Sequence, residues 1–284
     1  MSHKSQTNKL LGYPDDARLL ILNADDFGMY QAINEAILRT LKEGVVRSTS
    51  LMTPWPSASH AMKLLEQNPD IAFGVHLTVI CDIDNYRWGP LTPKEKVPSL
   101  SDEDGAFYSL ERMAEFLAQA KLDELEVEFR AQIEAVLGNK LKPTHLDWHC
   151  LHSGGRADIF ELTLGLAKEY GLALRVADSA SIEKVQSQGL PTDDYDLLDS
   201  FDVDIREKSA RYAQMLRELP VGLSEWAVHP GLGNAESQAI DPGGWQVRQT
   251  DFDFLMSSQA REIIRQEGII LLNYQPLQKL WQSR

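Results

Sequence analysis

Short apolar runs rich in β-branched residues alternate along this chain with longer segments of helical period. The runs are Ala17–Asn23, Val45–Met52, Ile71–His76, Thr144–His149, Leu172–Ala177, Leu223–His229 and Gly268–Asn273. Between them, apolar positions recur every three to four residues over Ala32–Lys42, Ser57–Gln67, Leu110–Leu137, Asp158–Tyr170, Ile205–Arg217 and Phe252–Glu267. Runs this short and this uniformly apolar predict strands buried on both faces, and the interposed helices predict parallel βαβ units. Seven such strands point to an α/β fold, a distorted (β/α) barrel of TIM-barrel type, with an open doubly wound sheet as the alternative. The barrel is expected to be a single domain over residues 18–284, preceded by a polar N-terminal extension over 1–17. Two stretches are too long for simple connections: Thr78–Ser109, which holds Tyr86, Trp88, Phe107 and Tyr108, and Gly231–Thr250, which holds Pro242, Gly243, Gly244 and Trp245. Both follow predicted strands, which would set them over the C-terminal mouth of a barrel as lids.

Composition narrows the class without naming a function. The 284 residues are 43% hydrophobic and 25% charged, ordinary for a globular chain, and the formal net charge of -14 disfavours a sequence-independent grip on nucleic acid or anionic lipid. Two cysteines, Cys81 and Cys150, make neither a disulfide framework nor a CxxC metal pair. Met1–Asp16 lacks the apolar core of a signal peptide, and no apolar run approaches the roughly 20 residues of a membrane helix, so a cytoplasmic protein with no nucleic-acid or membrane partner is expected. The charge run Asp123–Arg130 reads as a solvated helix face.

The chemistry is visible in where the reactive side chains fall. Asp25-Asp26 closes the first predicted strand, His76 the third, His149 the fourth and His229 the sixth. In α/β barrels that end of the sheet is where active sites are built. Two adjacent carboxylates after a buried strand repel each other and lose hydration, a cost that a bound divalent cation removes. An N-cap for the helix at Ala32–Lys42 is the plainer alternative, but a cap needs one Asp and Gly28-Met29-Tyr30 intervenes. Two imidazoles and one carboxylate would leave coordination positions open for water and substrate. His145, Asp147 and His149 alternate by two and share a strand face, so His145 and Asp147 are placed deeper, where either could orient a ligand. His229-Pro230-Gly231 sets an imidazole on a rigid turn, suited to general acid work. Arg175 and Arg248 are candidates to hold Asp25 or a substrate oxygen. The loop aromatics Tyr86, Trp88 and Trp245 are candidates to stack on a substrate or to pack their own loops.

These motifs resemble those of the YdjC/ChbG-type carbohydrate deacetylases. LILNADDFG at Leu20–Gly28, GVVRSTS at Gly44–Ser50, AFGVHLT at Ala72–Thr78, PTHLDWH at Pro143–His149 and His229-Pro230-Gly231 follow the family's order from about residue 18 to 275. The resemblance implies a sugar-deacetylase barrel with one divalent metal ion, Mg2+ or Zn2+, held by Asp26, His76 and His149. It further implies Asp25 as the catalytic base and His229 as the imidazole that protonates the leaving amine. The implied reaction is hydrolysis of the N-acetyl group of a chitooligosaccharide-like sugar, with O-acetyl esters within reach of the same chemistry. Substrate contacts would fall to Arg175, Trp88, Trp245 and Arg248, and a homodimer is an admissible assembly. The chain departs from the family after His149, where Cys150-Leu151-His152-Ser153 replaces further histidines, and at Trp148, where a small Ser is usual. A metal-dependent phosphoesterase or amidohydrolase, and a sugar-binding protein with a relict site, are the rival readings.

Overall fold

The computed structural model describes residues 5–84 and 86–283. Among the described residues ten strands form: β1 Arg18–Phe27, β2 Ser48–Leu51, β3 Phe73–Leu77, β4 Ile80–Cys81, β5 Tyr108–Ser109, β6 His145–Trp148, β7 Ala173–Leu174, β8 Leu198–Asp199, β9 Gly222–Val228 and β10 Ile270–Leu272. The helices are α1 Gln6–Leu11, α2 Gln31–Glu43, α3 Ala58–Gln67, α4 Met113–Gln119, α5 Leu122–Gly138, α6 Ala157–Tyr170, α7 Ser179–Ser187, α8 Lys208–Arg217, α9 Ala235–Ile240, α10 Trp245–Met256, α11 Ser258–Gln266 and α12 Gln275–Gln282. All seven strands expected from the apolar runs are present, and every pairing in the main sheet is parallel. The order is β7-β6-β3-β2-β1-β9-β8, with β10 also paired to β1. Beyond the two end strands, Leu197 N–H donates to Ala177 C=O at 3.1 Å, so the curled sheet nearly closes on itself. This is the distorted barrel the pattern predicted.

The differences have identifiable causes. β8 was not anticipated because two residues of Leu-Asp carry no periodic signal. The long helical pattern at Leu110–Leu137 is split where Ala120 and Lys121 take extended backbone, and Phe252–Glu267 is split at Ser257, whose side chain caps α11 through Ala260 N–H. Within the polar N-terminal segment, α1 packs against the barrel, since its polar side chains find buried partners. Thr7 Oγ1 donates to Thr192 C=O at 2.5 Å, and Asn8 Nδ2 to Ala17 C=O at 2.9 Å.

The charge run on α5 is not merely solvated. Glu128 accepts from the backbone N–H groups of Leu91 and Thr92 at 3.0 Å each, Glu124 from Ser99 N–H at 2.7 Å, and Gln132 pairs both ways with the Thr78 backbone. These bonds tie the long insertion after β3 to the barrel wall. Unpaired, each buried backbone donor would cost roughly 1–3 kcal/mol. Trp55, from the connection between β2 and α3, meets Trp88 of the insertion at 4.1 Å and Tyr86 at 4.9 Å between ring centroids, an aromatic cluster that fastens the insertion to the barrel.

Candidate active site

At the C-terminal ends of the strands lies a cavity of about 440 Å³. Asp25, Asp26, His76, His149, Arg175 and His229 line it, joined by Asp82 from the first long insertion and by Asp241, Gly243 and Gly244 from the second. The two insertions therefore do form walls of the mouth.

A regular strand would send Asp25 and Asp26 to opposite faces. Here the pairing of β1 with β2 slips between Ala24 and Phe27, and Asp26 adopts left-handed backbone with φ 68°. Such a conformation in a non-glycine residue costs on the order of 1–3 kcal/mol and clusters at functional sites. Its effect is to bring both carboxylates to one imidazole: His76 Nε2 lies 3.4 Å from Asp26 Oδ1 and 3.9 Å from Asp25 Oδ2. Gly28 follows at φ 105°, where a Cβ would sit 2.8 Å from the Met52 carbonyl oxygen, so only glycine closes this turn.

Each acid has its own guanidinium. Arg175 grips Asp25 in bidentate fashion at 2.7 and 2.8 Å, and Arg248 donates to Asp26 Oδ2 at 2.8 Å. Burial pushes both carboxyls up, but the arginines reverse the effect; Asp25 ends below the ordinary carboxylate range and Asp26 well below it. Arg175 also reaches Glu225 at 2.8 Å and Asp147 at 3.1 Å, so its donors are committed to carboxylates. Tyr274 donates its hydroxyl proton to Glu225, and its ring stacks on His145 at 3.7 Å. His145 and Asp147 thus lie beneath the mouth, as the alternation of the strand predicted.

The geometry of the donor set suits a cation. His76 Nδ1–H donates to Asp147 at 2.9 Å, which leaves Nε2 facing the two carboxylates. A neutral ring would aim a lone pair at them. Burial opposes charge on His76, yet Asp147, Asp26 and Asp25 override it and push the ring up to about 9. The site thus attracts positive charge, which a divalent ion would supply in place of the proton. Asp26, His76 and His149 each offer a ligand atom within 4.8 Å of the other two, and Asp26 Oδ1 lies 3.4 Å from His76 Nε2 and 3.2 Å from His149 Nδ1. Tetrahedral ligands about 2.1 Å from an ion lie roughly 3.4 Å apart, so the residues present fit a metal.

On another side of the cavity, Ser200 Oγ engages His229 Nδ1 at 2.8 Å, which leaves Nε2 for proton transfer. The backbone N–H of His229 donates to Asp251 at 2.8 Å, and Lys208 neutralises that buried carboxylate at 2.9 Å. Phe201, 44% exposed, meets the His229 ring edge-on at 4.9 Å and lines the cavity, as does the exposed Leu110.

The aromatics singled out from the sequence lie elsewhere. Trp88 is buried against Trp55, Trp245 lies beneath Gly233, and neither is among the cavity-lining residues; Arg248 is spent on Asp26 and Asp241. Glu225 could have been found as a charge inside an apolar strand. Asp82, Ser200 and Phe201 sit between predicted elements and carried no signal.

The chain matches a family model described as YdjC-like protein over residues 19–266. It is 32% identical over 264 residues to a carbohydrate deacetylase of Enterococcus faecalis, spanning 91% of this chain and 97% of that one. A carbohydrate deacetylase of Thermoanaerobacter pseudethanolicus is 28% identical over 258 residues, 90% of this chain and 98% of the relative. Among solved structures, an Enterococcus faecalis protein described as a candidate cellobiose-phosphate cleavage protein superposes with a TM-score of 0.79 at 29% identity, covering 92% of this chain and 99% of the other.

Proposed function

The chain belongs to the YdjC-like family, and from that premise we propose that it is a carbohydrate deacetylase, a hydrolase that removes the N-acetyl group of a sugar or short oligosaccharide with the help of one divalent metal. The observation that carries the reading is the convergence of Asp26, His76 and His149 on one point, with Asp25 and His229 lining the same cavity. Two imidazoles and a carboxylate suit a zinc-like ion better than magnesium, which prefers oxygen ligands. Bound there, such an ion would polarise the acetyl carbonyl and acidify a water molecule.

Asp25 is held ionised by Arg175, so it can accept a proton from the attacking water at neutral pH. Arg175 fixes its orientation through both carboxylate oxygens. Asp147 holds His76 by its outer nitrogen, and Arg248 holds Asp26. His229 Nε2 donates the proton that lets the amine depart, with Ser200 and Asp251 fixing the ring and its backbone. Phe201 and Leu110 offer apolar surface for the C–H face of a sugar ring. Among the described residues lining the cavity, Arg175 is the only Lys or Arg, and carboxylates occupy it. No free guanidinium or ammonium among them is therefore left for an anionic substrate.

The test is acetate release from a panel of N-acetylated mono- and oligosaccharides. A chelator should abolish release, and returned Zn2+ or Mg2+ should restore it. Asp25→Asn should lower the rate by about 10²–10⁴-fold while metal content stays unchanged. Undiminished release without metal, or no release from any acetylated sugar, would overturn the reading.

A further inference from the structure

His149 carries a second nitrogen whose hydrogen bond is unmade. The residue is 3% exposed, and its Nε2 makes no hydrogen bond. Asp82 Oδ1, itself shielded from water although its side chain is 18% exposed, lies 3.1 Å away in ion-pair contact without hydrogen-bond geometry. Two orphaned polar atoms in contact are costly unless a small turn of either side chain joins them. The same relation is complete at the other imidazole, where Asp147 takes the outer nitrogen of His76 at 2.9 Å.

β4, which leads into Asp82, is tied down. Its Cys81 Sγ donates to the Trp88 carbonyl at 3.3 Å and accepts from the Trp88 N–H at 3.5 Å. Trp88 is clamped against Trp55, and its ring centroid lies 6.1 Å from that of His149. The buried aromatic that the sequence suggested for a sugar therefore anchors the turn carrying Asp82.

We propose that Asp82 is a positioning residue of the metal centre: it accepts a hydrogen bond from His149 Nε2–H and so presents Nδ1 to the ion. The insertion after β3 then completes the centre from above, as Asp147 completes it from below. The inference rests on the metal reading given above. A carboxylate in this role orients the ring and raises its basicity, and its loss weakens metal binding by about 10–100-fold. Asp82 also neighbours Cys150, and these two with His149 form another group able to hold an ion, which gives a rival that the experiment must separate.

The experiment measures Zn2+ affinity and stoichiometry by chelator competition on the full chain, for the unsubstituted protein, Asp82→Ala and Asp82→Asn. Circular dichroism of the metal-free forms checks that each folds. Imidazole 15N spectra of the metal-free protein read which nitrogen of His149 carries its proton. One equivalent bound by the unsubstituted chain, a 10–100-fold loss in Asp82→Ala, and a smaller loss in Asp82→Asn, which keeps an acceptor oxygen, would support the assignment. So would loss of the Nε2–H signature in Asp82→Ala. Equal affinity in all three folded proteins would overturn it with the metal reading intact. Two equivalents that fall to one in Asp82→Ala would overturn it in favour of direct ligation. No binding by the unsubstituted chain would overturn the metal reading and this inference together.

Discussion

Replacing Arg175 by methionine removes the guanidinium that three buried carboxylates share. The residue is 3% exposed and bonds Asp25 at 2.7 and 2.8 Å, Glu225 at 2.8 Å and Asp147 at 3.1 Å. Methionine has similar bulk, so the loss is electrostatic rather than a cavity. Breaking a buried ion pair from one side costs about 3–5 kcal/mol, because the remaining charge is left uncompensated. The acids can escape by taking up protons. Neutralising one Asp of ordinary pKa 3.8 costs about 5 kcal/mol at pH 7.5 and only about 1.6 kcal/mol at pH 5. Glu225, whose carboxyl burial pushes up, neutralises more readily. In the unsubstituted protein Asp25 and Asp147 have lowered pKa values; the stability they contribute is present above about 3.8 and is lost only as pH falls through their depressed values. Between pH 7.5 and 5 that contribution therefore persists, while the penalty in the variant fades. Urea unfolding of the chelated proteins should show Arg175→Met less stable by about 3–5 kcal/mol at pH 7.5, narrowing to roughly 1–2 kcal/mol at pH 5. A deficit under about 1 kcal/mol at pH 7.5, or one that widens at pH 5, would refute this account of the site.

Two further outcomes follow from single contacts. Phe201→Ala should raise KM by about 3–10-fold with kcat little changed, since the ring binds ground and transition states alike; a fall in kcat at constant KM in the acetate assay would show that it serves His229 instead. Gly74→Ala would set a Cβ 2.5–2.6 Å from the ring of His145, which is fully buried and stacked on Tyr274. Thermal melting should then show a loss of about 1–3 kcal/mol, and an unchanged transition would mean the ring has room to move.

Much of the barrel was legible because buried parallel strands need uninterrupted apolar runs, and seven of them appear as such. The ends of those runs also marked Asp25, Asp26, His76, His149 and His229, since charge at the tip of an apolar strand has few structural uses. What escaped notice was short or aperiodic. β8 is two residues long, α1 hides in a polar segment, and the α5 carboxylates that grip the insertion look like any solvated face.

The order of residues along the chain determined the parallel α/β architecture and the kinds of donor available, because periodicity and residue type are local properties. It did not determine which donors meet. That Asp25 and Asp26 face one imidazole depends on a slipped register and a left-handed residue. That Arg175 and Arg248 serve the acids rather than a ligand depends on contacts 150 and 222 residues apart. That Asp82 stands against His149 depends on how an insertion packs on Trp55 and α5. Each is a long-range choice made by burial, since a charged group taken from water must find its partner wherever the fold brings one.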